Sequence, residues 1–263
     1  MSRYLVTGSN GFIGTNLTKH LEAMNHEVIG LDYPTDLCYA DNLAFYAEQI
    51  VHLAAETSVR DSIDHPGKVF LRNCQSTLNI LNIAREDEST LTFVSSHAAS
   101  DPSSPYGASK AACEALCRAY RASYDMDITI LRLSNVYGPH SMHKNSVVHR
   151  FIRNSILGQP LTIYGDGEQT RDFIHVSDVC DAIYCLDEDS DISYGCPISI
   201  NDLVEEIGRL TRKFRSTGLT INHAPAILGE IKHVGIYNPR SEVKAFDESL
   251  MDTYLWYMDE LIK

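Results

Sequence analysis

The pair of residues best suited to moving a proton in this sequence is Tyr106 and Lys110, four positions apart in "SPYGASK". At i and i+4 both side chains leave the same face of a helix. A free phenol titrates at about 10 and is a poor base at neutral pH, but an ammonium held nearby favours the phenolate. Ten positions earlier the apolar segment "LTFVSS" ends in Ser96, whose hydroxyl could hold the oxygen that the phenol serves. Taken alone, "YGASK" would be a helix start with a solvated lysine. The rest of the chain gives it another meaning.

A phenol and a serine need a strand end and a helix start to hold them, and the N-terminal segment supplies the pattern for such elements. Tyr4 to Val6 is a short apolar run of the kind found in buried parallel strands. Gly8, Gly11 and Gly14 follow, and then Ile13, Leu17 and Leu21 recur at helical spacing. A second run, Glu27 to Leu31, ends in Asp32. The glycines allow a tight turn, close approach of backbone to a pyrophosphate, and close packing of helix on strand. The pyrophosphate would sit at the positive end of the helix, and Asp32 would accept hydrogen bonds from ribose hydroxyls while repelling a 2'-phosphate. That pattern predicts a dinucleotide cofactor, NAD rather than NADP.

The 263 residues are 44% hydrophobic and 22% charged, enough for a sizeable core. A formal net charge of -13 argues against nucleic acid or an anionic membrane as partner. The seven cysteines are scattered without CxxC pairs, which fits reduced core thiols in a cytoplasmic protein, with no disulfide framework and no metal site. The histidines also lack ligand spacing; His149 is among those expected on the surface or in loops. No apolar run is long enough to span a bilayer, and the start of the chain does not read as a signal peptide.

"TGSNGFIG" resembles the opening signature of the extended short-chain dehydrogenase/reductase family, the nucleotide-sugar epimerases and dehydratases. Further stretches resemble that family in the same order: "IVHLAAETSV", "NCQSTLNILNIAR", the Ser96–Tyr106–Lys110 set, "RLSNVYGP" and "YGDGEQTRDFIHVSDV". The resemblance implies catalysis by Ser96 as orienting hydroxyl, Tyr106 as acid/base, and Lys110 as ribose clamp. It implies cofactor contacts from Gly8, Asn10, Gly11, Phe12, Ile13, Gly14 and Asp32, from Leu53, Ala54, Ala55 and Asn73, and from Tyr106 and Lys110. Asp36 and Leu37 stand where the family has an Asp-hydrophobe pair at the adenine. Ser96, Asn135 and Arg171 would contact the substrate, a nucleotide sugar, with a UDP-sugar favoured. For Arg171 the alternative is a structural ion pair with Asp172, and for Asn73 it is core packing.

The implied fold is α/β: a Rossmann doubly wound parallel sheet with a smaller, interleaved C-terminal substrate-binding lobe. The cofactor domain would comprise residues 1–133 plus about 172–192, and the substrate lobe about 134–171 plus 193–263. Only 20 positions separate Asp32 from His52, so the sheet is expected to be trimmed at one edge. His97 and Ala98 follow Ser96 where dehydratases of the family carry an Asp-Glu pair, which counts against 4,6-dehydration. Ile227 occupies the position of a family arginine. "ISINDLVEEIGRL" reads as an amphipathic helix capped by Ser199 or Asn201. The resemblance thus implies an NAD-dependent, UDP-hexose 4-epimerase-like enzyme, a cytoplasmic homodimer dimerising through two helices, one of them carrying Tyr106. A nucleotide-4-keto-sugar reductase, or an NAD-binding protein with degenerate catalysis, are the alternatives.

Overall fold

The computed structural model describes residues 1–32, 37–39, 46–215, 218–226, 232 and 243–262. The chain divides into two compact units, Met1–Leu133 with Cys180–Ile192, and Ser134–Val179 with Ser193–Lys263.

In the first unit the apolar run after Arg3 becomes β1 (Arg3–Thr7), and helix α1 (Phe12–Ala23) follows the glycine turn. The second apolar run is β2 (Glu27–Leu31), and β3 (Gln49–His52) carries the histidine that precedes the Leu53–Ala55 segment. Helices α2 (Val59–Asp64) and α3 (Pro66–Glu86) lead to β4 (Thr90–Ser96), then to α4 (Pro105–Tyr124) and β5 (Ile128–Leu133). The sixth strand, β6 (Ser190–Ile192), comes much later in the chain. The sheet order is β6-β5-β4-β3-β1-β2, with every pair parallel. Among the described residues β2 is therefore an edge strand, as the short Asp32–His52 interval leads one to expect. From β1 the chain steps outward to β2 and then back across β1 to β3. That reversal is a topological switch point, where the carboxyl ends of parallel strands open a crevice.

Leu5, Ile50, Phe93 and Ile130 from the strands are buried against Ile80 and Leu81 of α3 and Cys113 and Cys117 of α4. Each such large side chain contributes about 1.5–3 kcal/mol by leaving water, so the sheet and the seam between α3 and α4 form one rigid support. No helix among the described residues is long and apolar enough to cross a membrane.

The second unit builds its core from helices α5 (Val147–Leu157), α7 (Ile200–Phe214) and α8 (Phe246–Leu261), through Phe151, Leu203, Ile207, Tyr254 and Tyr257. Helix α6 (Val176–Cys185) carries the chain back to the first unit. Ser199 caps α7, and its Oγ accepts from the Asp202 amide at 3.0 Å while Asp202 accepts from the Ser199 amide at 3.1 Å. Strand Phe173–His175 pairs with Asn135–Tyr137, which keeps these residues in the second unit. His149, expected at the surface, is 1% exposed. It lies on the apolar face of α5, and burial, reinforced by Lys144, His143 and Arg153, pushes its imidazole down to about 3.

Candidate active site

The glycine turn sits at the carboxyl end of β1. Gly8 has φ +72, a left-handed conformation in which a side chain is strained, and a Cβ there would lie 3.0 Å from the Ala54 amide nitrogen. A Cβ on Gly14 would fall 2.1 Å from the Gly8 carbonyl oxygen, so only glycine lets α1 begin this close to the turn. The N-cap of α1 is Gly11, with no side-chain cap and no acidic residue in the first turn. A helix start of this kind, at the end of a glycine turn, is the arrangement that receives a phosphate. At the end of β2, Asp32 Oδ2 accepts from the Asn10 amide at 2.7 Å, which fixes the acid beside the turn. Phe12 is buried beneath it and Ile13 is half-buried. A helix start without a side-chain cap, a cradle that a Cβ would fill and an acid at the next strand end together fit a dinucleotide.

The neighbouring strand end is fastened to this turn from below. Thr7 Oγ1 pairs with His52 Nδ1 at 2.7 Å and accepts from the Ala54 amide at 3.1 Å; His52 Nε2 pairs with Thr77 Oγ1 at 3.2 Å. Burial, with Lys110 adding to it, pushes His52 down to about 3, so it is a neutral spacer tying β1, β3 and α3 together. Leu53, Ala54 and Ala55 follow on, half-buried. Asn73 is 2% exposed: its Oδ1 accepts from the Glu56 amide at 2.8 Å and its Nδ2 donates to Ser109 Oγ at 2.9 Å. It therefore holds the loop after β3 onto α4, a bracing role seen directly in the geometry. Leu37 is buried in the core and its carbonyl accepts from Asn79 Nδ2 at 2.8 Å. Asp36 and Ile227 lie outside the described residues.

Helix α4 starts as its sequence dictates, with Ser104 as N-cap accepting from the Gly107 amide at 3.2 Å and Pro105 in the first turn. A Cβ on Gly107 would approach Ala98 O to 2.4 Å, so the first turn of α4 is pressed against the short turn His97–Ala99 that follows Ser96. This contact sets the start of α4, and with it Tyr106, beside the turn after Ser96, whose hydroxyl bears on the Tyr106 phenol. Ser96 Oγ also accepts from the Ala98 amide at 3.3 Å.

Tyr106 and Lys110 are both buried, at 9% and 4% exposure. Lys110 Nζ donates to Val94 O at 2.6 Å and lies 4.3 Å from the centroid of the Phe93 ring. Burial pushes this ammonium down, while Cys113, Cys117, Glu114 and Cys74 pull it back up. Burial pushes the Tyr106 phenol up from its ordinary value; the nearby Ser96 hydroxyl opposes this and Cys113 adds to it. The expectation that proximity of Lys110 would bring the phenol down is thus corrected in this state: desolvation dominates, and the ammonium is directed to a strand carbonyl.

One residue that supports the site was not anticipated. Glu114, 1% exposed, accepts from Ser95 Oγ at 2.7 Å, Arg132 Nε at 2.7 Å, a second Arg132 nitrogen at 2.6 Å and Arg118 at 2.8 Å. Burial alone would raise its carboxyl, but the Arg132, Ser95 and Arg118 hydrogen bonds hold it below the ordinary value. The network pins α4 to β4 and β5, one residue short of Ser96 and four beyond Lys110. A glutamate inside the buried stripe of α4 was the available signal.

Asn135 and Arg171 belong to the second unit. The Asn135 amide and Nδ2 donate to Asp172 O at 3.0 and 3.2 Å, and Arg171 donates to Thr170 O at 2.8 Å and Lys232 O at 3.3 Å. The Asp172 carboxylate, wholly buried, accepts from the amides of Tyr194 and Gly195 and from Ser134 Oγ, at 2.8, 2.7 and 3.2 Å.

Residues 4–194 match the profile of the NAD dependent epimerase/dehydratase family. A putative UDP-glucose 4-epimerase of Methanocaldococcus jannaschii is 32% identical over 245 residues, covering 77% of this chain and 80% of the relative. A dTDP-glucose 4,6-dehydratase of Xanthomonas campestris pv. campestris is 30% identical over 238 residues, covering 70% of this chain and 67% of the relative. Among solved structures, the Thermus thermophilus UDP-glucose 4-epimerase in complex with NAD superposes with a TM-score of 0.86 at 26% identity, covering 97% of this chain and 98% of that one.

Proposed function

The chain belongs to the NAD-dependent epimerase/dehydratase family, and on that premise we propose that it inverts a UDP-hexose at C4 by transient oxidation. The observation that carries the reading is Tyr106 and Lys110 buried one turn apart on α4, whose first turn is pressed at Gly107 against the turn after Ser96. The pair lies in the same unit as the glycine cradle and Asp32. The relatives named include both epimerases and dehydratases, and the residues after Ser96 favour the first. His97 and Ala98 provide no carboxylate to remove a sugar proton during elimination of water.

Gly8, Asn10, Gly11, Phe12, Ile13 and Gly14 would hold the cofactor pyrophosphate, with Asp32 on the adenosine ribose, Asp36 and Leu37 at the adenine, and Leu53, Ala54, Ala55 and Asn73 along its side. When bound, NAD supplies reversible hydride acceptance, which oxidation of the C4 alcohol to a ketone requires. Tyr106 Oη takes the C4 hydroxyl proton as the carbonyl forms and returns it as the alcohol is restored on the opposite face. Ser96 donates to the same sugar oxygen and keeps it in line. Lys110 leaves or shares its Val94 acceptor to clasp the ribose hydroxyls, and its charge then offsets the desolvation that holds Tyr106 protonated. Asn135 and Arg171 bind the nucleotide sugar, the guanidinium by bidentate contact with phosphate.

The protein works as a cytoplasmic homodimer in this reading. Ile63 of α2 and Leu71 of α3 are 63% and 68% exposed, and Phe70 is 40% exposed, apolar area that a partner copy would cover along the side of α3 and α4. The deciding experiment follows UDP-glucose and UDP-galactose by NMR with catalytic NAD+. Interconversion with no net NADH change is the expected result. Stoichiometric NADH consumption with a 4-keto-sugar would show a reductase instead. Tyr106→Phe is expected to remove turnover while leaving NAD+ binding nearly intact; undiminished turnover would refute the assignment.

A further inference from the structure

The glycine turn is fastened to β2 through three consecutive residues. The Gly8 amide donates to Leu31 O at 2.8 Å, and the Asn10 amide donates to Asp32 Oδ2 at 2.7 Å. Between them Ser9 meets Gly30: a Cβ on Gly30 would lie 2.7 Å from Ser9 Oγ and 3.0 Å from Ser9 Cβ. The backbone at Gly30 is not left-handed, so its φ does not call for glycine. Glycine inside a strand weakens it; what the missing side chain provides here is a seat for Ser9. Gly30 and Asp32, two positions apart, belong to the same face of β2. Ser9 therefore stands beside the acid, at the corner assigned to the adenosine ribose. Its carbonyl accepts from Thr15 Oγ1 at 3.4 Å, while its hydroxyl has no hydrogen-bond partner among the described residues. We propose that Ser9, seated in the gap at Gly30, is a second specificity-determining residue for the cofactor, with its hydroxyl bonded to the adenosine ribose beside Asp32.

The seat and the hydroxyl are coupled. Ser9 Oγ can rotate away from a methyl group on Gly30, but rotation about χ1 leaves Ser9 Cβ where it is. At 3.0 Å the turn itself would have to give by a few tenths of an ångström, and the adjoining Asn10 amide that holds Asp32 would move with it. A carboxylate and a hydroxyl side by side suit the two free hydroxyls of an unphosphorylated ribose. The carboxylate accepts from one, and the serine, both donor and acceptor, serves the other. A 2'-phosphate would meet the Asp32 charge and find the space beside it filled by Ser9. Discrimination between the cofactors thus comes from charge at Asp32 and from shape at Ser9. The inference rests on the reading of this turn as the NAD site.

Calorimetric titration of the full chain with NAD+ and with NADP+, without any sugar substrate, is the test. Ser9→Ala keeps the Cβ and removes the hydroxyl. It should lower NAD+ affinity about threefold to tenfold, the worth of one hydrogen bond, and NADP+ affinity by less, so that the ratio of the two falls. Gly30→Ala should lower NAD+ affinity by a similar factor in the parent, but by less than about twofold on a Ser9→Gly background, where the methyl group has room. Unchanged NAD+ affinity in Ser9→Ala overturns the ribose contact. An equal loss from Gly30→Ala with and without the Ser9 side chain overturns the seat. A parent that binds neither cofactor overturns the reading of the turn and this inference together. A parent that binds NAD+, with variants that match it, overturns this inference alone.

Discussion

Replacing Glu114 by alanine tests whether the buried carboxylate positions the helix that carries Tyr106 and Lys110. The substitution removes an acceptor of four hydrogen bonds and leaves Ser95, 4% exposed, without its partner and the Arg132 guanidinium uncompensated. Taking one partner from a buried charge pair costs about 3–5 kcal/mol. The Arg118 side chain is 49% exposed and regains water, and Arg132 at 27% regains some, so the lower end applies, about 3 kcal/mol. With a shift of about 2–4 °C per kcal/mol for a chain of this size, the variant should melt about 6–12 °C below the parent. The pH dependence has a definite sign. Because the folded carboxyl is held below its ordinary value, its contribution is complete above about 4.3, where an unfolded glutamate titrates. That contribution is lost as pH falls through the lowered folded value, so the melting gap between parent and variant should close in acid. Scanning calorimetry from neutral pH to strong acid reads both effects. A drop under about 2 °C at neutral pH, or a gap unchanged in acid, would refute the claim that Glu114 bears on α4.

Gly14→Ala places a methyl group 2.1 Å from the Gly8 carbonyl, and calorimetric titration should show NAD+ affinity lowered more than tenfold, about 1.4 kcal/mol or more. Asp32→Ala removes the carboxylate held beside the Asn10 amide; the ratio of NAD+ to NADP+ affinity should fall, and an unchanged ratio would mean that Asp32 does not face the ribose. Ile63→Glu with Leu71→Glu charges the exposed apolar patch of α2 and α3; light scattering is expected to report the proposed dimer for the parent and monomer for the variant.

Local spacing made much of this molecule readable. The glycine turn, Asp32 at the end of β2, and Tyr106 four positions before Lys110 each depend on neighbours close in the chain, and the structure places them at strand ends and on one helix face. The short interval after Asp32 likewise pointed to a sheet trimmed at one edge, and among the described residues β2 is an edge strand. What the sequence could not convey depends on residues far apart in it or on backbone acceptors. Glu114 is satisfied by Ser95 and Arg132 across 19 and 18 positions, with no periodicity to reveal the match. The Lys110 ammonium is taken by a main-chain oxygen of β4, which leaves no mark on residue types, and desolvation of Tyr106 follows from the turn at Ala98 packing on Gly107. His149 looked like a loop residue because its polarity outweighed its place on the apolar face of α5.

The late position of β6 in the chain bears on how the protein is born. Strand β5 ends at Leu133 and its neighbour β6 starts at Ser190, with most of the intervening chain assigned to the second unit. On a ribosome adding about 5–20 residues per second, the first unit spends several seconds with the backbone of β5 unpaired on one side. An open parallel edge is a template for another chain during that interval. The strand that ends in Ser96 and the helix that carries Tyr106 are complete before the sheet is, so nascent chains should be most prone to chaperone capture between those two moments of synthesis.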